Sequence, residues 1–361
     1  MQLTEQCVAA FWTEPDFDDH ELVEFVHDRA SGLRALIALH STHLGPGAGG
    51  TRRWHYPDPA MAMRDALRLS RGMSYKNAMA GLPMGGGKGV ILAGPDRKPT
   101  PAMLAAYGDA IDRLAGRYIT AEDVGMSEAD MAAIAQRTAY VTGLPASDPA
   151  AAGGNPGPFT ARGVYLGIRA AVAHGLGRTE LEGVHVAIQG VGSVGGGVAR
   201  LLAADGARLT LADLDAARAG ALAAQLGADH VAADAIMAVE CDVFSPNALG
   251  SILDDAGIAR LRARVVAGGA NNQLARPEHG PMLAARGVLF APDYVINAGG
   301  IIAVVLEYLA RSTGEPCDVA RVHAKVEEIP GRLQAIWDEA HATGATPGEV
   351  ADATAQRLIG R

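Results

Sequence analysis

The sequence predicts an α/β protein of two domains, the second built on a doubly wound parallel sheet. Three observations carry this. Residues 142–160, TGLPASDPAAAGGNPGPFT, concentrate Gly, Pro, Ser and Asn and divide the chain. Beyond them, apolar runs alternate with helical segments (HVAIQGVG, SVGGGVARLLAADG, RLTLADLD, AARAGALAAQLG, DVFSPNAL, RVVAGGAN, GVLFAPDYVINAGG), the pattern of a parallel sheet with helices on both faces. Inside that alternation an apolar strand runs into Gly190-x-Gly192-x-x-Gly195 where a helix opens.

Taken in order, residues 21–56 read as strands and turns, with the apolar run LRALIALH broken by LGPGAGGTR. Residues 59–80 carry apolar positions at helical spacing behind a Pro-Ala start. GVILAG (89–94) is a short strand, and residues 100–116 form a helix with Thr100 as cap and proline in the first turn. RYITAEDVGM is a strand ending in polar residues. FTARGVYLGIRAAVAHGL opens the second half as a helix, and the last ~55 residues are helices broken near Pro330 and Pro347.

Composition narrows the function classes. A chain of 361 residues with 49% hydrophobic and 20% charged residues is ordinary globular material. Net charge of −9 disfavours nonspecific nucleic-acid binding. No apolar run reaches the ~18 residues of a membrane span, and the acidic first residues lack the basic start of a secretory signal. Cys7, Cys241 and Cys317 are odd in number and far apart, which points to thiols in a reducing cytoplasm, with neither a disulfide framework nor a metal site.

The glycine motif predicts a Rossmann-type dinucleotide site. Gly190 permits the tight turn, Gly192 lets backbone approach a pyrophosphate, and Gly195 allows close helix–strand packing, with Ser193 and Val194 opening the helix whose N-terminus meets the phosphates. A second strand ends at Asp213, twenty-three residues past Gly190, where a carboxylate binds the adenine ribose hydroxyls and repels a 2′-phosphate. NAD is therefore expected over NADP.

A second stretch, GLPMGGGKGV (81–90), asks a different question. A phosphate-binding P-loop needs G-x-x-x-x-G-K-[ST]; here Leu82 stands at the first glycine and Gly89 follows the lysine, so the match fails twice. The chain has only four lysines, Lys76, Lys88, Lys98 and Lys325, among 31 basic residues. A retained lysine suggests a task arginine is unable to perform, since arginine holds its proton near neutral pH. Gly85, Gly86 and Gly87 would let backbone crowd a small substrate. Lys88, desolvated or beside a second cation such as Lys76, becomes a general acid–base. Asp123, after an apolar strand, would enter the same site. Two lysines and an aspartate beside a nicotinamide suggest amine–carbonyl redox chemistry. Lys76 as a solvated helix residue and Asp123 as a helix cap are the competing readings.

These blocks carry a resemblance. LGPGAGGTRRWHYPD, RGMSYKNAMAGLPMGGGKGVI, TAEDVGM, GNPGPFTARGVYLGIRAA, IQGVGSVG, PNALG, GGANNQL and APDYVINAGGII, collinear over about residues 32–310, resemble the leucine/phenylalanine/valine branch of the amino-acid dehydrogenases related to glutamate dehydrogenase. The resemblance implies a substrate-binding and assembly domain of residues 1–145 joined by C-terminal helices 331–361, and an NAD domain of residues 146–330. It places catalysis in the cleft between them, closed by hinge motion, in a homo-oligomer from dimer to octamer.

It also implies roles. Lys76 binds the substrate α-carboxylate, Lys88 is the catalytic acid–base, and Asp123 shuttles a proton to or from the substrate nitrogen. Asn271, or its neighbour Asn272, helps hold the carboxylate or the nicotinamide, and Thr160 and Asn247 lie near the nicotinamide amide. The implied reaction turns an L-amino acid, water and NAD into a 2-oxo acid, ammonia and NADH, reversibly. Glutamate enzymes carry a lysine where Ala48 stands, just before Gly49; Ala121, Ile301 and Val304 match the other pocket positions. The pocket is thus apolar and should reject glutamate. Branched-chain aliphatic substrates are expected first, phenylalanine or another aromatic amino acid such as tryptophan next. A catalytically silent NAD-binding regulator is the alternative of another class, opposed by the joint retention of Lys76, Lys88 and Asp123.

Overall fold

A computed structural model describes residues 12–94, 98–145, 153–248, 250–315 and 317–361. Cys7, Leu249 of the PNALG block and the 145/146 boundary's second residue lie outside these described residues. The chain forms two compact units: residues 1–154, 304–318 and 355–361 in the first, and 155–303 with 319–354 in the second.

The first unit is a five-stranded mixed sheet. Its strands are β1 (Leu22–Asp28), β2 (Leu33–Ser41), β3 (Gly47–Trp54), β4 (Gly85–Leu92) and β5 (Tyr118–Glu122), in the order β1-β2-β4-β3-β5. β2 runs antiparallel to β1 and β4, whereas β3 runs parallel to β4 and β5. Alternation along β2 divides its apolar residues between two cores. Leu36 and Ala38 meet Ala62 and Ala66 of α1 (Pro59–Met79), together with Val90. Ile37 and Leu39 meet Leu104, Tyr107 and Ile111 of α2 (Pro101–Arg113) and Met131 and Ile134 of α3 (Glu128–Ile134). Both long helices start at the proline the sequence predicts, with Thr100 capping α2 as expected; the structure adds Asp58 as the cap of α1. The glycines predicted to precede the strand instead belong to it, since β4 begins at Gly85.

The second unit holds a six-stranded, all-parallel sheet. After α4 (Gly157–Leu176), strands β6 (His185–Gln189), β7 (Arg208–Ala212), β8 (Asp229–His230), β9 (Val243–Pro246), β10 (Val265–Val266) and β11 (Leu289–Phe290) lie in the order β11-β10-β9-β6-β7-β8. Between them run α5 (Ser193–Ala204), α6 (Ala216–Leu226), α7 (Asp255–Arg260), α8 (His279–Ala285) and α9 (Asp293–Ile296). The order reverses at β6, from which strands build outward in both directions, as in a doubly wound sheet.

The C-terminal helices divide differently from expectation. α10 (Gly299–Thr313) spans the residue 303/304 division, so residues 304–318 belong with the first unit although the sequence placed them with the second. α11 (Val319–Val326) lies in the second unit, where the sequence placed it, whereas α12 (Ile329–Thr343) and most of α13 (Pro347–Leu358) belong with the second unit rather than the first. The reason is packing. Trp337 of α12, fully buried, donates its indole N–H to the Phe290 carbonyl at 3.0 Å, and a Cβ at Gly167 of α4 would strike Ile296 and Leu333. Sequence periodicity shows that these helices have an apolar face but not which sheet that face covers.

Candidate active site

The triple glycine is a packing device. A Cβ on Gly86 would stand 2.1 Å from the Ser74 backbone nitrogen and 2.3 Å from the Ser70 carbonyl oxygen, because α1 lies directly on β4. A Cβ on Gly87 would enter the Tyr118 ring on the other face, and one on Gly85 would meet the Ser41 carbonyl oxygen at 1.9 Å. The space the sequence reading reserved for substrate at these three positions is filled by protein. Gly49 follows the same rule, since its Cβ would lie 1.9 Å from the Gly87 carbonyl oxygen.

Two residues beyond Gly86, alternation puts Lys88 on the α1 face. Only 6% of Lys88 is exposed, and its Nζ donates to Asp123 Oδ2 at 2.6 Å. Asp123 follows β5 directly, beside Gly50 of β3, where a Cβ would come within 2.8 Å of the Asp123 Cβ. Asp123 is not the cap of α3: Ser127 is, in a reciprocal capping box with Asp130. The competing reading of Asp123 thus falls.

The cation found beside this pair is Arg52, which sequence reasoning missed. Its Nε donates to Asp123 Oδ2 at 3.2 Å and its Nη1 to Asp65 Oδ2 at 3.0 Å. Its signal was available: it is the first arginine of the GGTRR block, two strand positions past Gly50 and so on the same face. Burial pushes the Asp123 carboxyl up, but Lys88 and Arg52 outweigh burial and hold it down at about 2. Burial dominates for Lys88 and lowers its pKa against the opposing pull of Asp123, with Arg52 adding to the depression. The result is an ionised carboxylate bonded to a lysine whose burial lowers its hold on its proton.

The remaining first-unit candidates lie on neighbouring elements. Lys76 is half-buried in the last turn of α1. Ala48 and Ala121 are buried in β3 and β5. Asn77, fully buried and also missed from sequence, donates to the Ala48 carbonyl at 3.3 Å and the Gly85 carbonyl at 2.6 Å, tying both strands to α1. Val304 is buried in the first-unit part of α10, where its carbonyl accepts from the Thr142 hydroxyl at 2.5 Å. Glu307 in the same helix accepts from the Gly143 N–H at 2.9 Å.

In the second unit, β6 leads into the predicted loop. Gly190 adopts φ +80°, a backbone that favours glycine. A Cβ on Gly195 would lie 1.9 Å from the Gly190 carbonyl oxygen, so close helix–strand packing excludes any side chain there. Gly192 differs: a Cβ there would meet no protein atom within 4 Å, so protein packing does not require its lack of a side chain. Gly192 is also the N-cap of α5 and supplies no side-chain cap, leaving the first-turn amides of Ser193, Val194 and Gly195 available to an anion. These residues fit a dinucleotide pyrophosphate. Asp213 accepts from the Val191 N–H at 2.8 Å and the Asp215 N–H at 2.9 Å, with Arg218 3.6 Å away. Burial raises its pKa, but those amides and the guanidinium prevail, so it is an anion below the usual carboxylate range.

The other second-unit candidates have visible partners. Asn247 donates to Ser245 and accepts from the Gly269 N–H at 2.9 Å, bridging the ends of β9 and β10. Asn271 Oδ1 accepts from Asn297 at 2.9 Å, whereas Asn272 sits at φ +51°. Thr160 lies in the first turn of α4, with a Cβ on Gly300 only 2.7 Å from its hydroxyl oxygen, and Ile301 follows half-buried in α10.

A parallel sheet of this order with this loop is the architecture of a dinucleotide-binding domain. Comparison with known proteins agrees. The Glu/Leu/Phe/Val dehydrogenase dimerisation domain matches residues 20–140, and the Glutamate/Leucine/Phenylalanine/Valine dehydrogenase domain matches residues 210–358. The chain is 45% identical to leucine dehydrogenase of Geobacillus stearothermophilus over 94% of its own length and 91% of that protein. It is 43% identical to valine dehydrogenase of Streptomyces albus, over 95% and 93% respectively. The crystal structure of L-tryptophan dehydrogenase from Nostoc punctiforme superposes with a TM-score of 0.81 at 40% identity, covering 94% of this chain and 96% of that one. The chain belongs to the glutamate/leucine/phenylalanine/valine dehydrogenase family and is an amino-acid dehydrogenase that works with a nicotinamide cofactor.

Proposed function

We propose that this enzyme catalyses reversible, NAD-dependent oxidative deamination of branched-chain L-amino acids. The observation that carries the chemistry is the buried Lys88–Asp123 pair, a lysine depressed by burial and bonded at 2.6 Å to a carboxylate. The substrate in its ammonium form, water and NAD⁺ give the 2-oxo acid, ammonium, NADH and one proton. Bound oxidised nicotinamide supplies the hydride acceptor. Lys76 holds the α-carboxylate. Asp123 takes the proton from the substrate ammonium, Lys88 removes a proton from the water that attacks the imine carbon, and Asp123 returns a proton to the departing nitrogen. Asn271, whose side chain is held by Asn297, supports the carboxylate or the nicotinamide, with Thr160 and Asn247 near the nicotinamide amide.

NAD is favoured because the Asp213 carboxylate would repel a 2′-phosphate. Branched-chain substrates are favoured because Ala48, Gly49, Ala121, Ile301 and Val304 carry no charge to pair with glutamate's side chain. The small Ala48 and the likeness to L-tryptophan dehydrogenase favour an aromatic substrate as the second reading. The match to a dimerisation domain supports a homo-oligomer, and the three separated cysteines support a cytoplasmic location. NADH formation with leucine, valine, isoleucine, phenylalanine, tryptophan and glutamate tests this reading. Branched-chain substrates should lead and glutamate should be inert. An aromatic lead would refute the substrate ranking, and silence across the panel would refute the reaction.

A further inference from the structure

Beyond the acid–base pair lies a second layer of charge. Asp65 of α1 takes three donors: Arg52 Nη1 at 3.0 Å and the Tyr56 hydroxyl at 2.8 Å on Oδ2, and Arg68 Nη2 at 3.1 Å on Oδ1. The donors fix both oxygens of Asp65. Arg52 in turn spans two carboxylates, using Nε for Asp123 and Nη1 for Asp65. The Arg52 and Asp65 side chains are only 23% and 19% exposed, so their fields act with little screening.

We propose that Arg52 and Asp65 are positioning residues for catalysis: one guanidinium shared between Asp65 and Asp123 sets how strongly its charge bears on the Lys88–Asp123 pair. The inference rests on the reading of Lys88 as the base. Arginine suits this place because its planar fork reaches two partners at once, which a single ammonium does poorly. Among the described residues, Asp123, Arg52 and Asp65 are the charges that act on Lys88 most, and the elements packed against it carry these groups. β5 ends in Asp123, and β3 contributes Arg52. α1 contributes Asp65, Arg68 on its far side and Lys76 in its last turn. β2 contributes Leu36, Ala38 and His40, the last neutral at working pH because burial and Arg361 hold it at about 4. Tyr56, raised by burial and by its bond to Asp65, stays a neutral donor.

The two layers should therefore act in opposite directions. Without the Arg52 charge, Lys88 keeps its proton more tightly, and a step that needs neutral Lys88 moves to higher pH. Without the Asp65 charge, the full Arg52 cation bears on the pair, Lys88 releases its proton sooner, and the step moves to lower pH.

The test is the pH profile of kcat for oxidative deamination, which reports groups in the substrate complex. The enzymes are wild type, Arg52→Gln, Asp65→Asn and Arg52→Lys. The rising limb should move up by roughly half to one pH unit in Arg52→Gln and down by a similar amount in Asp65→Asn. Arg52→Lys, which keeps the charge, should fall nearer wild type than Arg52→Gln. NADH binding, read by fluorescence, should be unchanged in all three and shows that each variant folds. Limbs that move together, or that stay in place while kcat alone falls, would overturn the proposal and leave Arg52 and Asp65 as structural residues. Lys88→Ala run alongside separates the two failures: turnover like wild type in that variant removes the base itself.

Discussion

Two glycines in this chain lack a side chain for different reasons, and the difference is measurable. At Gly86 an added methyl would stand 2.1–2.3 Å from Ser74 and Ser70 backbone atoms of α1. Ordinary contact begins near ~3.4 Å, so helix and strand must part by about 1 Å, and neither is a flexible side-chain end. Overpacking of this kind costs about 3 kcal/mol or more, at or beyond the upper end of the usual range because backbone meets backbone. In a chain of 361 residues, that lowers the thermal midpoint by about 4 °C or more. At Gly192 the methyl meets no protein atom within 4 Å, and φ is −69°. Gly192→Ala should keep its melting temperature within about 2 °C, yet lose at least about tenfold in NADH affinity, or roughly 1.4 kcal/mol, because the methyl stands where backbone should approach the pyrophosphate. Thermal unfolding and NADH fluorescence titration of both variants suffice. A Gly86→Ala protein as stable as wild type would refute the packing account of the glycine strand. A Gly192→Ala protein with normal NADH affinity would refute the cofactor loop.

Asp213→Ala should weaken NADH binding and narrow the preference over NADPH; an unchanged ratio of the two affinities would assign ribose recognition to another residue. Asp123→Asn should lower stability near neutral pH by about 2 kcal/mol, the value of holding a buried carboxyl at about 2 instead of 3.8. The sign follows from the depressed value: the stabilisation is complete above the unfolded pKa of 3.8 and is lost as pH falls through the folded value. The gap between variant and wild type in urea midpoint should therefore shrink below about pH 4. A gap that widens on acidification would contradict the ion pair.

Much of this architecture is legible in the sequence because it is written in local chemistry. The proline starts at 59 and 101, the cap Thr100, and the loop from Gly190 to Gly195 each specify backbone within a few residues. What sequence reading misses is set by contacts between distant elements. Gly85, Gly86 and Gly87 read as room for substrate, yet α1 and Tyr118 fill that room, and nothing in a run of glycines says which neighbour will press on it. Arg52 and Asp65 belong to different elements whose meeting depends on β3 lying beside β4 under α1. The swap of helices between units has the same origin: Trp337 finds its partner at Phe290, forty-seven residues away.

Lys88 is the group on which the proposed chemistry depends. The most direct measurement is turnover of Lys88→Ala with a branched-chain amino acid and NAD, paired with NADH binding to the same protein. Turnover should vanish while NADH affinity stays within about twofold of wild type, because the dinucleotide loop lies in the other unit. Near-normal turnover with intact NADH binding would remove Lys88 from the chemistry and, with it, the mechanism drawn from the Lys88–Asp123 pair.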